Sequence, residues 1–432
     1  MNSLLMQCET WMFPILDVFN EQLGESLLRY RLERLPAAMS RAKQYGSDGA
    51  YFPWTSTQTG FGTTHEQMNS TCYGRYDPER EGGCTGLGWQ EQHINGDIAM
   101  AFRLHWHASQ NVTFLRESFE LINATAAFWA SRFERHKESG NWTVHGVVGP
   151  DEPSGVQDSE VYTNAIGAQT ILFARDAAAA LKLPPPPEEW LAKAAAPFLP
   201  LTTELPDSHG MAIHPEFEGY AGGPSDCCNG GRPGGGCCIE QSAAALLQYP
   251  LGLALPEAVK RNDLAYYEPR TQANGFFTGD SIYSIAWLAL GNTTAALTQW
   301  EAAFSHMSCD YFCLFRERLT GGHSNFVTGA GGFLQNIVQG WAGVRVSSGT
   351  LTLTGPTLPP TVTSVTLRSL QFRGTSFTVR FDAVSISFVL VGGHRASTQL
   401  TVSDGAGVVH KLSAVPVAMP LQPYTSFAIA PV

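Results

Sequence analysis

Two carboxylates stand side by side in GVVGPDEPSGVQDSEVYTN, the stretch from Gly146 to Asn164: Asp151 and Glu152. Gly149-Pro150 ahead of them favours a turn, and Pro153 behind them keeps the next residues out of helix. Ser159 and Glu160 then open an Ala-rich helical run. Acidic side chains on a short loop anchored to a helix are placed for chemistry, because loops on rigid scaffolds carry much of it. Taken alone, Asp-Glu beside Pro also describes a solvated turn. A third carboxylate, Glu317, sits between Arg316 and Arg318 in CLFRERLTGGHSNFVTGAGGFLQ, from Cys313 to Gln335. Charge alone would make it a surface ion-pair residue. His93, His105 and His107 are the tempting metal ligands. His105 and His107 are two apart and face different sides of a helix, so core or surface histidines are expected and no metal.

The elements around these residues change character once along the chain. From Trp11 to about Tyr45 apolar residues recur at helical spacing, with a break expected near Gly24. Helices follow in HINGDIAMAFRLHWHASQN, VTFLRESFELINATAAFWASRFERH, the run from Asp158 to Leu183, EEWLAKAAAPFL, IEQSAAALLQYPL, PEAVKRNDLAYYE, DSIYSIAWLALG, TTAALTQWEAAFSHM and GGFLQNIVQGWAG. At about Val344 period-two alternation bounded by Gly, Pro and Asp takes over. The expected organisation is a mainly α domain over residues 1–343 and a small antiparallel β domain, a sandwich, over 344–432. Without a low-complexity linker between them, the two should pack firmly.

Composition excludes several classes. At 432 residues the chain can bury a large core, and 44% hydrophobic with 15% charged residues is ordinary for a globular protein. A net charge of −11 argues against a nucleic-acid partner, which needs clustered Lys and Arg. No apolar run approaches the roughly 20 residues that span a bilayer, so no membrane is expected. GAGG at Gly329 to Gly332 follows no strand, so it is not a dinucleotide loop, and no cofactor is expected. Sequons at Asn69, Asn111, Asn123, Asn141 and Asn292 exceed the about two expected by chance and point to a secretory or lysosomal-type compartment. Nine cysteines agree. Cys227-Cys228 and Cys237-Cys238 flank a Gly-rich segment, Cys72 and Cys84 bracket another, and Cys309 and Cys313 are four apart. A stapled loop at the doubled pairs is favoured over zinc, which adjacent cysteines serve badly. The start, MNSLLMQCETWMF, has neither a basic region nor a small-residue cleavage site.

The order of motifs resembles glycoside hydrolase family 65. GPDE followed by YTN is similar to that family's acid-bearing segment, and the resemblance implies that Glu152 is the general acid. The Cys313–Gln335 segment is similar to its second catalytic segment, with Glu317 in the place of the base. Inverting hydrolysis of a glycosidic bond needs this pair: one carboxyl protonates the leaving oxygen and the other activates water. The acid must keep its proton, by burial or a nearby charge such as Asp151. Trp11-Met12 with Pro14, Tyr30-Arg31 and Phe52–Ser56 also resemble family segments. Trp54 is expected under a glucose face, Gln241 on glucose hydroxyls, and His93 and Asn95 along the same cleft. Glu240 stands where the family has Lys, and Gln7-Cys8-Glu9 replaces an aromatic-Asp-Thr-Glu segment whose Asp contacts glucose. Gly331-Gly332 leaves no histidine at a place where phosphorylases bind phosphate, which favours a hydrolase.

The resemblance further implies an (α/α)6-type toroid, incomplete because the family's N-terminal β-sandwich, linker and opening helices would precede residue 1. On that reading Met1–Met12 is a poorly anchored terminus with Leu4, Leu5, Met6 and Cys8 exposed, and the chain aggregates. The expected substrate is a glucosyl disaccharide unit, trehalose or the glucosyl-galactose of hydroxylysine. A truncated, non-catalytic glycan-binding relic is the competing class, and a disaccharide phosphorylase the next.

Overall fold

A computed structural model describes residues 8–60, 62, 87–222, 239–272, 277–309, 312–319, 324–347, 349–393, 398–422 and 425–432, and the backbone of 4–5. The doubled cysteines, the Cys72–Cys84 insertion, Asn69, Met6 and Gln7 lie outside the described residues, as do the side chains of Leu4 and Leu5. The helices described are α1 (Phe13–Phe19), α2 (Glu21–Glu33), α3 (Leu35–Gln44), α4 (Leu87–Gln90), α5 (Ile94–Ser109), α6 (Val112–Arg132), α7 (Val161–Leu181), α8 (Glu188–Ala195), α9 (Ala243–Gln248), α10 (Glu257–Tyr267), α11 (Thr278–Ala289), α12 (Thr293–Ser305) and α13 (Val327–Gln335). Short strand pairs punctuate them: β1 (Leu4–Leu5) with β2 (Thr55–Ser56), β3 (Glu134–Arg135) with β4 (Trp142–Thr143), and β5 (Met307–Ser308) with β6 (Leu314–Phe315).

The helices pack largely in succession, α6 on α7 and α11 on α12, around one core. Trp129, Phe128, Tyr162, Tyr267 and Phe52 in that core are all but inaccessible. Side-chain caps begin several helices. Asn111 accepts from Phe114 N at 3.3 Å before α6, and Asn292 from Ala295 N at 3.1 Å before α12. The first long helical run breaks at Asn20, not at Gly24. Asn20 caps α2 by accepting from Leu23 N at 3.1 Å, while Gly24 continues inside the helix. A Cβ on Gly24 would overlap the Asp17 carboxylate, so glycine here serves close packing of α1 on α2.

From Val344 onward the described chain is strands: β7 (Val344–Ser347), β8 (Thr350–Thr354), β9 (Ser364–Phe372), β10 (Thr375–Asp382), β11 (Ser385–Gly393), β12 (Leu400–Ser403), β13 (Val409–Lys411), β14 (Val417–Pro420) and β15 (Ser426–Pro431). They form two antiparallel sheets, ordered β14-β11-β10-β9 and β13-β12-β15-β8-β7. Every second residue is buried, as in Leu351 and Leu353, Phe377, Val379 and Phe381, and Phe427 and Ile429. Ile15 and Val18 of α1 join this core. Two hydrogen bonds add to the junction: Glu21 N donates to Gln371 Oε1 at 2.6 Å, and Arg373 N to Ala108 O at 2.7 Å. Among the described residues no helix is long and apolar enough to cross a membrane.

The expected loose beginning is corrected at residues 8–12. They form a wide helical turn with Glu9, Thr10 and Trp11 buried and Cys8 half-buried. Arg31, fully buried, grips Glu9 with two bonds, Nε to Oε1 at 2.6 Å and Nη2 to Oε2 at 3.1 Å. Gln335 Nε2 donates to the carbonyls of Thr10 at 3.0 Å and Trp11 at 2.5 Å. Gly331 lets α13 lie directly on this turn, since a Cβ there would overlap the Trp11 carbonyl.

Candidate active site

The acid loop is closed by Val147 and Gln157, whose backbones exchange hydrogen bonds at 2.9 and 2.7 Å. Glu160 caps α7 beside it, accepting from Tyr162 N at 3.0 Å and Thr163 N at 2.6 Å. The Glu160 side chain lies where a Cβ of Gly149 would be, so only glycine lets the loop settle on the cap. Within the loop Asp151 turns inward. Its Oδ1 accepts from Glu240 N at 2.7 Å and its other oxygen from the Ser154 hydroxyl. Asp151 thus fixes the loop and does not face the cleft.

Glu152 does face it. The cleft is narrow and is lined by Thr10, Trp11, His93, Asp97, Glu152 and Gln241, among others. Burial pushes the Glu152 carboxyl up to about 7. His93 pulls the other way, the charges of Asp151 and Glu317 push further up, and Arg318 opposes them. The result is a carboxyl that keeps its proton near neutral pH, as a general acid requires.

Glu317 follows the β5–β6 hairpin, across which Cys309 and Cys313 are joined by a disulfide. Its charge bears on both Glu152 and Glu240. Next to it, Arg318 donates to Glu240 Oε1 at 3.0 Å. Burial and the charge of Glu152 raise Glu240 to about 8, with Arg318 opposing. Gln241 is placed by the capped start of α9. Ser242 Oγ accepts from Ala245 N at 3.2 Å and donates to Glu216 Oε1 at 2.6 Å, while Glu216 Oε2 accepts from Ala243 N at 2.6 Å.

The structure therefore gathers Trp11, His93, Glu152 and Gln241 at one cleft, with Glu317 within electrostatic reach. Asp151, Asn95 and Trp54, also expected on the substrate side, are not among the residues lining this cleft. Asn95 is fully buried with its side chain committed: Oδ1 accepts from Phe52 N at 2.8 Å and Nδ2 donates to Gln92 O at 3.0 Å. It braces the Phe52–Ser56 stretch. Trp54, half-buried on that stretch, turns its indole N–H toward Glu91. Sequence reading missed Asp97 and Tyr162 as cleft residues. His93 Nδ1 meets Asp97 Oδ2 at 2.8 Å, and Tyr162 donates to Asp97 Oδ1 at 2.7 Å. The His93–Asp97 spacing of one helical turn was the available signal.

The model of the glycosyl hydrolase family 65 central catalytic domain matches residues 5–219. A protein-glucosylgalactosylhydroxylysine glucosidase of Dictyostelium discoideum is 31% identical over 402 residues, covering 89% of this chain and 49% of its own. A kojibiose hydrolase of Mucilaginibacter mallensis is 29% identical over 361 residues, covering 83% and 48%. A solved structure from the human microbiome, named for kojibiose phosphorylase, superposes with a TM-score of 0.73 at 16% identity, covering 97% of this chain and 56% of that one. At that identity the likeness establishes the fold, an α/α toroid-type helical body with C-terminal antiparallel sheets. The chain spans about half the length of the curated relatives it matches.

Proposed function

The chain belongs to glycosyl hydrolase family 65, and we propose that it is an inverting glycoside hydrolase releasing glucose from an α-glucosyl disaccharide unit. The observation that carries this reading is Glu152. It lines the cleft, burial raises it to about 7, and the charge of Glu317 acts on it. Glu152 protonates the leaving oxygen, and Glu317 takes a proton from the attacking water. Trp11 and Gln241 hold the glucose between them. Relatives named for glucosylgalactosylhydroxylysine and kojibiose make these two the first substrates, with trehalose third.

The phosphorylase reading is disfavoured by Gly331, where packing against the Trp11 carbonyl leaves no room for a side chain. Proton NMR of the first minutes of reaction tests the proposal on the three glucosides, with and without phosphate. β-Glucose appearing first from glucosylgalactosylhydroxylysine, and α- and β-glucose in equal amounts from trehalose, at rates independent of phosphate, are the expected results. α-Glucose first from glucosylgalactosylhydroxylysine would mean retention; a rate that requires phosphate would mean phosphorolysis. No release on any of them would leave the glycan-binding relic.

A further inference from the structure

Behind Glu152 lies a carboxyl that the reaction as described leaves idle. Glu91, in the turn between α4 and α5, is 1% exposed, and neither of its oxygens has a hydrogen-bond partner among the described residues. An isolated buried carboxylate is costly, so its surroundings must compensate or keep it neutral. The Glu152 carboxyl lies within hydrogen-bonding reach, the charge of Asp97 is nearby, and the Trp54 indole N–H faces the group without reaching bonding geometry. His93 Nε2, also without a partner among the described residues, is 3.8 Å from Glu91 Oε2.

The neighbouring hydrogen bonds decide which groups can donate. Asp97 accepts the Tyr162 hydroxyl proton at one oxygen and meets His93 Nδ1 at the other. With Nδ1 of His93 engaged by Asp97, its Nε2 is the nitrogen that faces Glu91. As two carboxylates, Glu91 and Glu152 would repel and make no hydrogen bond with each other. With one proton between them they make one. Glu152 lines the cleft and Glu91 is not among its lining residues, so the proton reaches substrate through Glu152.

We propose that Glu91 is a positioning residue that shares one proton with Glu152 and so keeps the acid protonated and oriented until the leaving oxygen takes that proton. The proposal rests on the reading of Glu152 as general acid. In the cleavage step the Glu152 O–H bond breaks as the leaving oxygen gains that proton. The glycosidic C–O bond breaks, the water C–O bond forms, and Glu317 takes the water proton. After product leaves, solvent returns one proton to the pair while Glu317 releases one. Besides Glu91, the charged groups facing Glu152 are His93, Asp151, Glu240, Glu317 and Arg318, and of these only His93 lies in the same turn as Glu91.

Two measurements test this, and the first needs no activity. Carbon-13 NMR of the whole chain, labelled at glutamate carboxyls, should show Glu91 and Glu152 titrating as a coupled pair. Glu152→Gln should then move the Glu91 titration down by about one pH unit or more, the scale at which two sites count as coupled. A Glu91 titration unmoved by Glu152→Gln overturns the proposal, whatever the enzyme's substrate. In the second, the basic limb of kcat/KM on kojibiose should move down by about one pH unit in Glu91→Gln. α-Glucosyl fluoride, whose leaving group needs no proton, should lose far less rate than kojibiose. A coincident basic limb, or equal loss on both substrates, would reduce Glu91 to packing. If Glu91→Gln does not fold, the Glu152→Gln titration decides alone.

Discussion

The backbone N–H of Glu240 donates to Oδ1 of Asp151 at 2.7 Å, and this one bond joins the acid loop to the segment that carries Gln241. Through its side chain Glu240 also accepts from Arg318, the neighbour of Glu317. The residues flanking Glu152, Glu317 and Gln241 are thus tied at a single point, Glu240, which stands where the resembled family has a lysine. Arg318 supplies the positive charge beside that point.

Removing that charge has a defined sign. Arg318 lowers both Glu152 and Glu240. In Arg318→Ala the basic limb of kcat/KM should therefore move to higher pH, whatever the loss in maximal rate. A limb moving to lower pH would mean that Arg318 acts mainly through Glu317.

Glu152→Gln should lower kcat on kojibiose by roughly 10²–10⁴-fold, the usual worth of a positioned acid. The loss on α-glucosyl fluoride should be much smaller. Equal losses would assign Glu152 a role other than proton donation. Wild-type kcat/KM should fall as pH rises past about 7, where Glu152 loses its proton.

Stability should also decline with pH. Glu152 and Glu240, raised chiefly by burial to about 7 and about 8, keep protons in the fold that the unfolded chain sheds near its ordinary pKa of ~4.3. Asp151, Glu160 and Glu216 are raised in the same direction by burial. Folding thus takes up protons between those limits, and the stabilisation present below pH ~4.3 is lost as pH rises through 7 and 8. Calorimetry should give a lower Tm at pH 8 than at pH 5, with a shallower fall in Glu240→Gln. A Tm rising over that range would contradict the burial of these carboxyls.

Glu9→Ala should destabilise the fold by roughly 3–5 kcal/mol, because it strands the charge of a fully buried Arg31. Glu9→Leu combined with Arg31→Met should recover much of that loss in urea unfolding. Additive losses in the double variant would show that the pair matters for its own attraction.

The sequence carried the periodic features well. Alternation in β10 and β11 marked the strands, and apolar spacing marked the long helices, because both patterns are local. Glu152 and Glu317 were singled out through motif order, not through their own charge, since Glu317 between two arginines looks like any surface residue. What escaped were pairings set by long-range geometry. His105 read as an ordinary histidine, yet its Nδ1 meets Asp17 Oδ1 at 2.7 Å, 88 residues away in the chain. Asn95 read as a sugar contact because the family segment it matches lines the cleft, while its amide is spent on Phe52 and Gln92. Glu91 drew no notice because a carboxylate's lack of partners is invisible without coordinates.

The seat of Trp11 on α13 sets an order of assembly during synthesis. The Gln335 amide reaches the Trp11 carbonyl across 324 positions of sequence. At about 5–20 residues per second, a ribosome places them roughly 15–65 s apart. The wall of the cleft that Trp11 provides therefore waits, unlatched, until Gln335 has emerged. An arrested nascent chain ending before Gln335 would present Trp11 to chaperones, and one extended past the β sandwich would have withdrawn it.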